Sequence, residues 1–564
     1  MIDVSGLRIP LARLDGTLEA ELNACRAATA RKLHVRPSQI TGIELRKRSV
    51  DARKRNAIVI LFTARVSIKG DEASIAQRAG NGVRLVADKP YGLPTRINVP
   101  LAPTRAGARA ANRPSAQNVE RPCARALERP VVVGAGCAGL FCALSLASAG
   151  LAPLLVERGD DAERRTAAVN AFNASSVLDP ESNIQFGLGG AGTFSDGKLG
   201  TGTKSPAHRL ILETLVEAGA QQRILWDAKP HVGSDVLPSV VTRIVERIRE
   251  LGGEVRFRTR LVGLDLREGR VAGIRLETNG REERVAAHDV VLACGHSARD
   301  VFELLRNTGV TLERKTFAMG VRIEHLQADV DRALYGSSAG HPALGAGSYK
   351  LAEHLPGGRS AFSFCMCPGG YVVAAASETG GVVTNGMSLA ARAGTNANSG
   401  LLANVFPEDL PGDDVLAGID LQRACERKAF EAGGGSFVAP AQLVGDLLSN
   451  MPSSAGGRIA PTYPRGVAWG FVDKCLPDYI VHTLRAAIPR MEHKLRGFSA
   501  ADAVLTGVET RSSSPVRVTR GDDLQSVSTP GLWPCGEGAG YAGGIMSAAT
   551  DGLRVAEALV TTYA

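Results

Sequence analysis

The sequence predicts an α/β protein: a Rossmann-like nucleotide-binding domain carrying an inserted α+β substrate domain, behind a small N-terminal α+β domain of ferredoxin-like type. Three stretches predict it. Residues 131–157 read VVVGAGCAGLFCALSLASAGLAPLLVE: a short apolar strand, a glycine-rich turn, a helix and a second short strand. Residues 255–277 read as alternating strands around a turn at Glu268-Gly269, followed by another strand-then-glycine segment in HDVVLACGHSARD, residues 288–300. Near the end, GLWPCGEGAGYAGGIMSAATDGLRVAEAL, residues 531–559, repeats the order of strand, glycine turn and helix.

At 564 residues the chain is long enough for two to four domains. With 44% hydrophobic and 22% charged residues it can bury large cores and is not a disordered chain. Residues 1–98 read as the small domain. Leu18 to Leu33 has helical spacing, and ITGIELRKRS and AIVILFTARVSI read as strands joined by the basic VDARKRN. Residues 99–128, rich in Pro, Ala and Arg, read as a linker. The nucleotide-binding domain is discontinuous, spanning 129–309 and 499–564, with the substrate domain inserted at 310–498.

The stretch 131–157 has no charge before Glu157, and a hydropathy scan would take it for a membrane span. Its glycines and Pro153 stand where loops are needed, which favours a nucleotide cradle. Gly134 permits the tight turn, Gly136 lets the backbone approach a pyrophosphate, and Gly139 lets helix pack on strand. Cys137 and Ala138 open that helix, whose free N–H groups and positive dipole end suit phosphate. Glu157, with Arg158 after it, lies near the offset of about 20 residues expected of an acid that binds ribose hydroxyls. A second glycine-rich stretch, NIQFGLGGAGTFSDGKLGTGT at 183–203, reads as a loop whose backbone reaches a ligand, and offers Gly190, Thr193, Ser195 and Lys198.

Together these segments resemble FAD enzymes of the glutathione reductase type, in their fumarate reductase-like branch. KRSVDARKR, GGAGTFSDGKL, GHSARD, FCMCPGG, VVTNGMS and NANSGLL, with the Gly-Glu near the C-terminus, identify the chain as a member of a family of uncharacterised FAD-dependent dehydrogenases. The resemblance implies a non-covalently held FAD. It places Leu261 and Val262 near the adenine, and Cys294 and Gly295 at the edge of the FAD domain. Thr193, Ser195 and Lys198 fall against the pyrophosphate and the flavin ring. Gly536 and Glu537 fall at the ribityl chain, where most relatives carry Gly-Asp, and Gly543, Gly544 and Ile545 at a helix N-terminus facing the flavin.

The family brings no reaction with it. No second Rossmann unit and no C-x-x-C is read, so NAD(P)H is expected only as a transient donor. A dehydrogenase or reductase acting on a small molecule is favoured over an oxygenase. Catalytic candidates are Cys367, paired with Cys365 at alternating strand spacing, His296 as a proton donor or a structural hydrogen-bonder, and Arg392 as a clamp for a carboxylate. No His/Cys cluster suggests a metal. The basic stretch 31–55 reads as a solvated face or as a contact for nucleic acid, which leaves two alternatives: a flavoenzyme acting on RNA or a protein, and a flavin-binding regulator without turnover. No signal peptide is read at the N-terminus, no membrane contact is expected, and scattered cysteines fit a reducing cytosol. Substrate and oligomeric state stay open.

Overall fold

The computed structural model describes residues 1–86, 91–94 and 129–563; the stretch read as a linker lies outside them. The N-terminal unit runs strand, helix, two strands, helix, strand. Its antiparallel sheet has the order Ile40–Asp51, Val59–Ile68, Ile2–Pro10, Val83–Leu85, which is the ferredoxin-like arrangement. The helix Leu18–Leu33 starts where the Thr17 hydroxyl accepts from the Ala20 N–H and stops at His34, which adopts a left-handed conformation. Ile2, Val4, Ile60 and Phe62 are essentially fully buried beneath it. Each such side chain contributes about 1.5–3 kcal/mol of transfer free energy.

The basic stretch of this unit is not one solvated face. Arg48 is only 8% exposed and pairs with Glu21 at 2.6 Å. Its backbone exchanges hydrogen bonds with Trp226 and Ala228 of the next domain, at 2.7 and 2.8 Å. The strand 40–51 therefore docks against the chain as well as facing water.

A five-stranded parallel sheet forms the second layer, in the order Leu532–Pro534, Val290–Leu292, Val131–Val133, Leu154–Val156, Glu254–Arg256. All but Glu254–Arg256 are buried on both faces, which is why they read as unbroken apolar runs. The helix Cys137–Ser148 follows the first of these strands and is buried on nearly every side, which accounts for its membrane-like hydropathy. The helix Ile545–Tyr563 lies directly on it: a Cβ on Gly552 would fall 2.1 Å from the Ala138 carbonyl oxygen. Among the described residues no helix is long and apolar enough to cross a membrane. The expected meander is the antiparallel sheet Thr259–Arg267, Arg270–Thr278, Arg281–Ala286.

The third layer is a seven-stranded sheet running Ala352–His354, Ser360–Cys367, Asn396–Val405, Phe317–Leu326, Val504–Glu509, Ala439–Leu443, Val467–Trp469. Val504–Glu509 falls in the stretch expected to return to the nucleotide-binding domain. It instead pairs with Phe317–Leu326 and Ala439–Leu443 inside the inserted sheet. Its six buried residues suit a central strand of either sheet, so burial alone could not have assigned it.

Candidate functional site: a cleft between the parallel sheet and the inserted sheet

Strand ends and glycine turns from most of the chain converge on one cavity of about 360 Å3, in the size range of small-molecule sites. The first turn is built by exclusion. Gly134 has φ +101, and a Cβ there would lie 2.4 Å from the Ala293 carbonyl oxygen; a Cβ on Gly139 would lie 1.8 Å from the Gly134 carbonyl oxygen. Gly136 is different: its φ is −76, and a Cβ there would meet only Gly190 Cα, at 3.9 Å. It is left bare on the cavity side. The loop 183–203 crosses this turn, with the Gly189 N–H donating to the Ala135 carbonyl at 2.8 Å.

Glu157 ties the two turns together. Its carboxylate accepts from the N–H groups of Ala135 at 2.8 Å, Gly187 at 2.9 Å and Gly159 at 3.0 Å. A carboxylate has about four acceptor sites, so one is left for a hydroxyl in the cavity it lines. Arg158 beside it pairs with Glu181 at 2.8 Å and Asp300 at 2.9 Å and lies over the Phe186 ring.

Of the residues singled out in the sequence, Gly134, Gly136, Cys137, Ala138, Glu157, Arg158, Gly190, Ser195, Lys198, Leu261, Cys294, Gly295, His296, Glu537, Gly543, Gly544 and Ile545 line this cavity. Six others stand behind its wall. Gly139 and Gly536 are packing positions: a Cβ on Gly536 would fall 2.7 Å from that of Ala138. The Thr193 hydroxyl is turned inward and donates to the Leu188 carbonyl at 3.1 Å. Val262 is skipped by the pairing of its strand, which jumps from Leu261 to Gly263, so the bulge carries it off the lining face. Arg392 is held by the buried Asp196, with Nε at 3.1 Å, and is not a free clamp.

The cysteine pair also departs from expectation. Cys365 and Cys367 do not share one face, because the pairing of Ser360–Cys367 with Asn396–Val405 shifts between Phe364 and Cys367. Cys365, at φ +43, lines the cavity; Cys367 is fully buried behind it. Lys198 Nζ lies 3.8 Å from the first sulfur, 3.7 Å from the second and 3.2 Å from Asp196. A hydrogen bond from the Cys367 thiol holds the Cys365 thiol well below the usual range. Burial opposes this, while Lys198 and Arg322 favour the thiolate. Burial drives the Cys367 thiol the other way, well above that range.

Burial pushes Glu537 up to about 7 against the pull of Lys315, and its one ion-pair contact among the described residues is His296 at 3.8 Å. Burial, then the charges of Arg511 and Arg299, press His296 down to about 3. Those charges and that burial favour the neutral imidazole near pH 7.

Sequence reasoning missed Phe364, Glu509, Arg511 and Ser512 on the cavity wall. The last three come from the run ETRSS, which follows the apolar strand start Val504-Leu505. A charged run that ends a fully buried strand was the available signal. Glu509 is pushed by burial to about 7 despite the buried guanidinium of Arg322, whose Nη2 donates to it at 3.1 Å.

The fold and the cleft define a dinucleotide-binding flavoprotein. A family model for pyridine nucleotide-disulphide oxidoreductases matches residues 128–325, and one described as FAD-dependent protein, C-terminal domain-like, matches 316–512. Residues 1–67 match a domain of unknown function. An uncharacterized protein of Clostridium beijerinckii is 40% identical over 561 residues, covering 99% of both chains. The chain belongs to the family of FAD-dependent oxidoreductases that joins these domains.

Solved structures similar to it include a geranylgeranyl bacteriochlorophyll reductase-like protein from Thermoplasma acidophilum, 13% identical over 77% of this chain and 80% of that one, TM-score 0.35. Another is L-amino acid deaminase from Proteus vulgaris, 13% identical over 79% and 96%, TM-score 0.32. A third is glycerol-3-phosphate dehydrogenase from Bacillus halodurans, in complex with FAD, 13% identical over 78% and 64%, TM-score 0.30.

Proposed function

We propose that the protein is a dehydrogenase or reductase that holds FAD non-covalently in this cleft and transfers a hydride between flavin N5 and a small organic substrate. One observation carries the reading: turns from residues 134–138, 189–198, 294–298 and 537–545 line a single cavity with Glu157 at one wall. The donor set fits the cofactor. The bare face of Gly136 and the start of the helix Cys137–Ser148 suit a pyrophosphate, and the spare acceptor sites of Glu157 and Glu537 suit the hydroxyls of ribose and ribityl.

Bound FAD supplies a reversible two-electron acceptor. The chain supplies the rest. Lys198 brings a positive charge to the cavity, which favours an anionic reduced cofactor there. Glu537 is poised to hold or release a proton near neutral pH. NAD(P)H fits as a donor that visits the cleft without a nucleotide domain of its own. The nine free cysteines among the described residues suit a reducing compartment such as the cytosol.

Stopped-flow mixing of the holoprotein with NADH, NADPH and a panel of small metabolites tests the reading. Bleaching of the flavin by one of them within the time of a turnover is expected. A flavin that no donor reduces, though dithionite does, would contradict it.

A further inference from the structure

A thiol pair that the proposed hydride transfer does not use meets the cleft at the bulge of Ser360–Cys367. The inference rests on the reading that FAD occupies the cleft. The ladder to Asn396–Val405 runs through Phe364 opposite Gly400 and resumes at Cys367 opposite Asn398. Cys365 sits in that bulge at φ +43, a left-handed conformation that a non-glycine residue seldom adopts. The bulge turns one thiol to the cavity and keeps the other in the protein.

The two stay together. Cys367 Sγ lies 3.1 Å from the Cys365 carbonyl oxygen, and Lys198 Nζ is within 3.8 Å of both sulfurs. Arg322, fully buried, donates from Nη1 to the same Cys365 carbonyl at 2.9 Å. A cation held against two thiols, one of them facing a cleft, is the environment in which a cysteine becomes a thiolate.

We propose that Cys365 and Cys367 form a redox-active dithiol–disulfide couple that exchanges an electron pair with the flavin, Cys365 facing the cleft and Cys367 acting as the resolving thiol behind it. In the oxidising direction the Cys365 thiolate and the Cys367 thiol join in one S–S bond. The Cys367 S–H bond breaks, and the proton and two electrons pass to oxidised flavin, which becomes the anionic reduced form. The reverse step opens the disulfide and restores one thiolate and one thiol. The opposed pKa directions of the two sulfurs agree with this division of roles. The pair lies outside the stretch that matches the disulphide oxidoreductase model, on a strand of the inserted sheet.

The test is an anaerobic dithionite titration of the holoprotein after oxidation with ferricyanide, beside Cys365→Ser and Cys367→Ser. Wild type should consume two electrons per chain more than either variant, which take up only those of the flavin. Mass spectrometry of the oxidised wild-type protein, digested after blocking free thiols, should show a Cys365–Cys367 disulfide. This second readout does not depend on the variants folding. Lys198→Met should move the pH midpoint of Cys365 alkylation upward. Equal electron counts in a flavin-loaded set, with both thiols free after oxidation, would overturn the couple alone. A wild-type protein with no flavin absorbance, before or after addition of FAD, would overturn the reading of the cleft as well.

Discussion

The turn at Gly134–Gly139 and the wall made by Phe317–Leu326, Ser360–Cys367 and Val504–Glu509 face one cavity but are built on opposite principles. The turn works by omission: it removes side chains so that backbone can meet backbone and stay open to a ligand. The wall works by concentration. It buries Arg322, Glu509 and Cys367, with Cys365 and Lys198 against them, in a space where each depends on its neighbours. The comparison teaches that the turn should fail by steric clash and the wall by uncompensated charge.

The wall should break hardest. Arg322→Ala leaves Glu509, with 3% of its side chain exposed, facing a void without its cation. Removal of one partner of a buried pair costs about 3–5 kcal/mol, and denaturant unfolding should read a loss of that size. Gly139→Ala comes next. Its Cβ would sit 1.8 Å from a backbone oxygen, so strand and helix must separate. Overpacking of this kind costs about 1–3 kcal/mol, and the melting temperature should fall together with flavin content.

Glu537→Gln gives a smaller, pH-dependent effect. The folded carboxyl titrates at about 7 and the ordinary one at 4.5, so the folded state holds its proton longer. Stability from this group is complete below about 4.5 and is lost as pH rises towards 7. The glutamine variant should therefore gain melting temperature over wild type across that window and not below it; no gain would show that Glu537 is solvated. The side chain is 27% exposed, which keeps the effect modest. Arg53→Ala should do least. It too removes an Arg–carboxylate pair, to Asp51, but with the arginine 82% exposed, and the melting temperature should not move.

The same contrast explains what could be read from the sequence. A site made of backbone needs glycines at fixed spacing between strand and helix, and Gly134, Gly136, Gly139 and Glu157 stand at that spacing along 24 consecutive residues of the chain. The convergence of Gly190, Gly295 and Glu537 on it followed from the resemblance of their segments. The wall has no such local signature. Glu509 and Arg322 are 187 positions apart, and neither stands in a motif. Cys365 and Cys367 were visible as a pair, but strict alternation put both on one face. The bulge that separates them arises from pairing with a distant strand. Val504–Glu509 failed for a related reason: a buried apolar strand does not announce which sheet it joins.

Gly136 tests the central claim most directly, because its place is empty for the ligand and not for the fold. A Cβ there meets only Gly190 Cα at 3.9 Å, at a φ of −76 that alanine adopts without strain. Equilibrium FAD binding to the stripped Gly136→Ala protein, measured with its melting temperature, should show affinity lowered by about tenfold or more while the apoprotein melts as wild type does. Unchanged affinity in a normally folded variant would contradict the account, since the cofactor would then not lie against this turn.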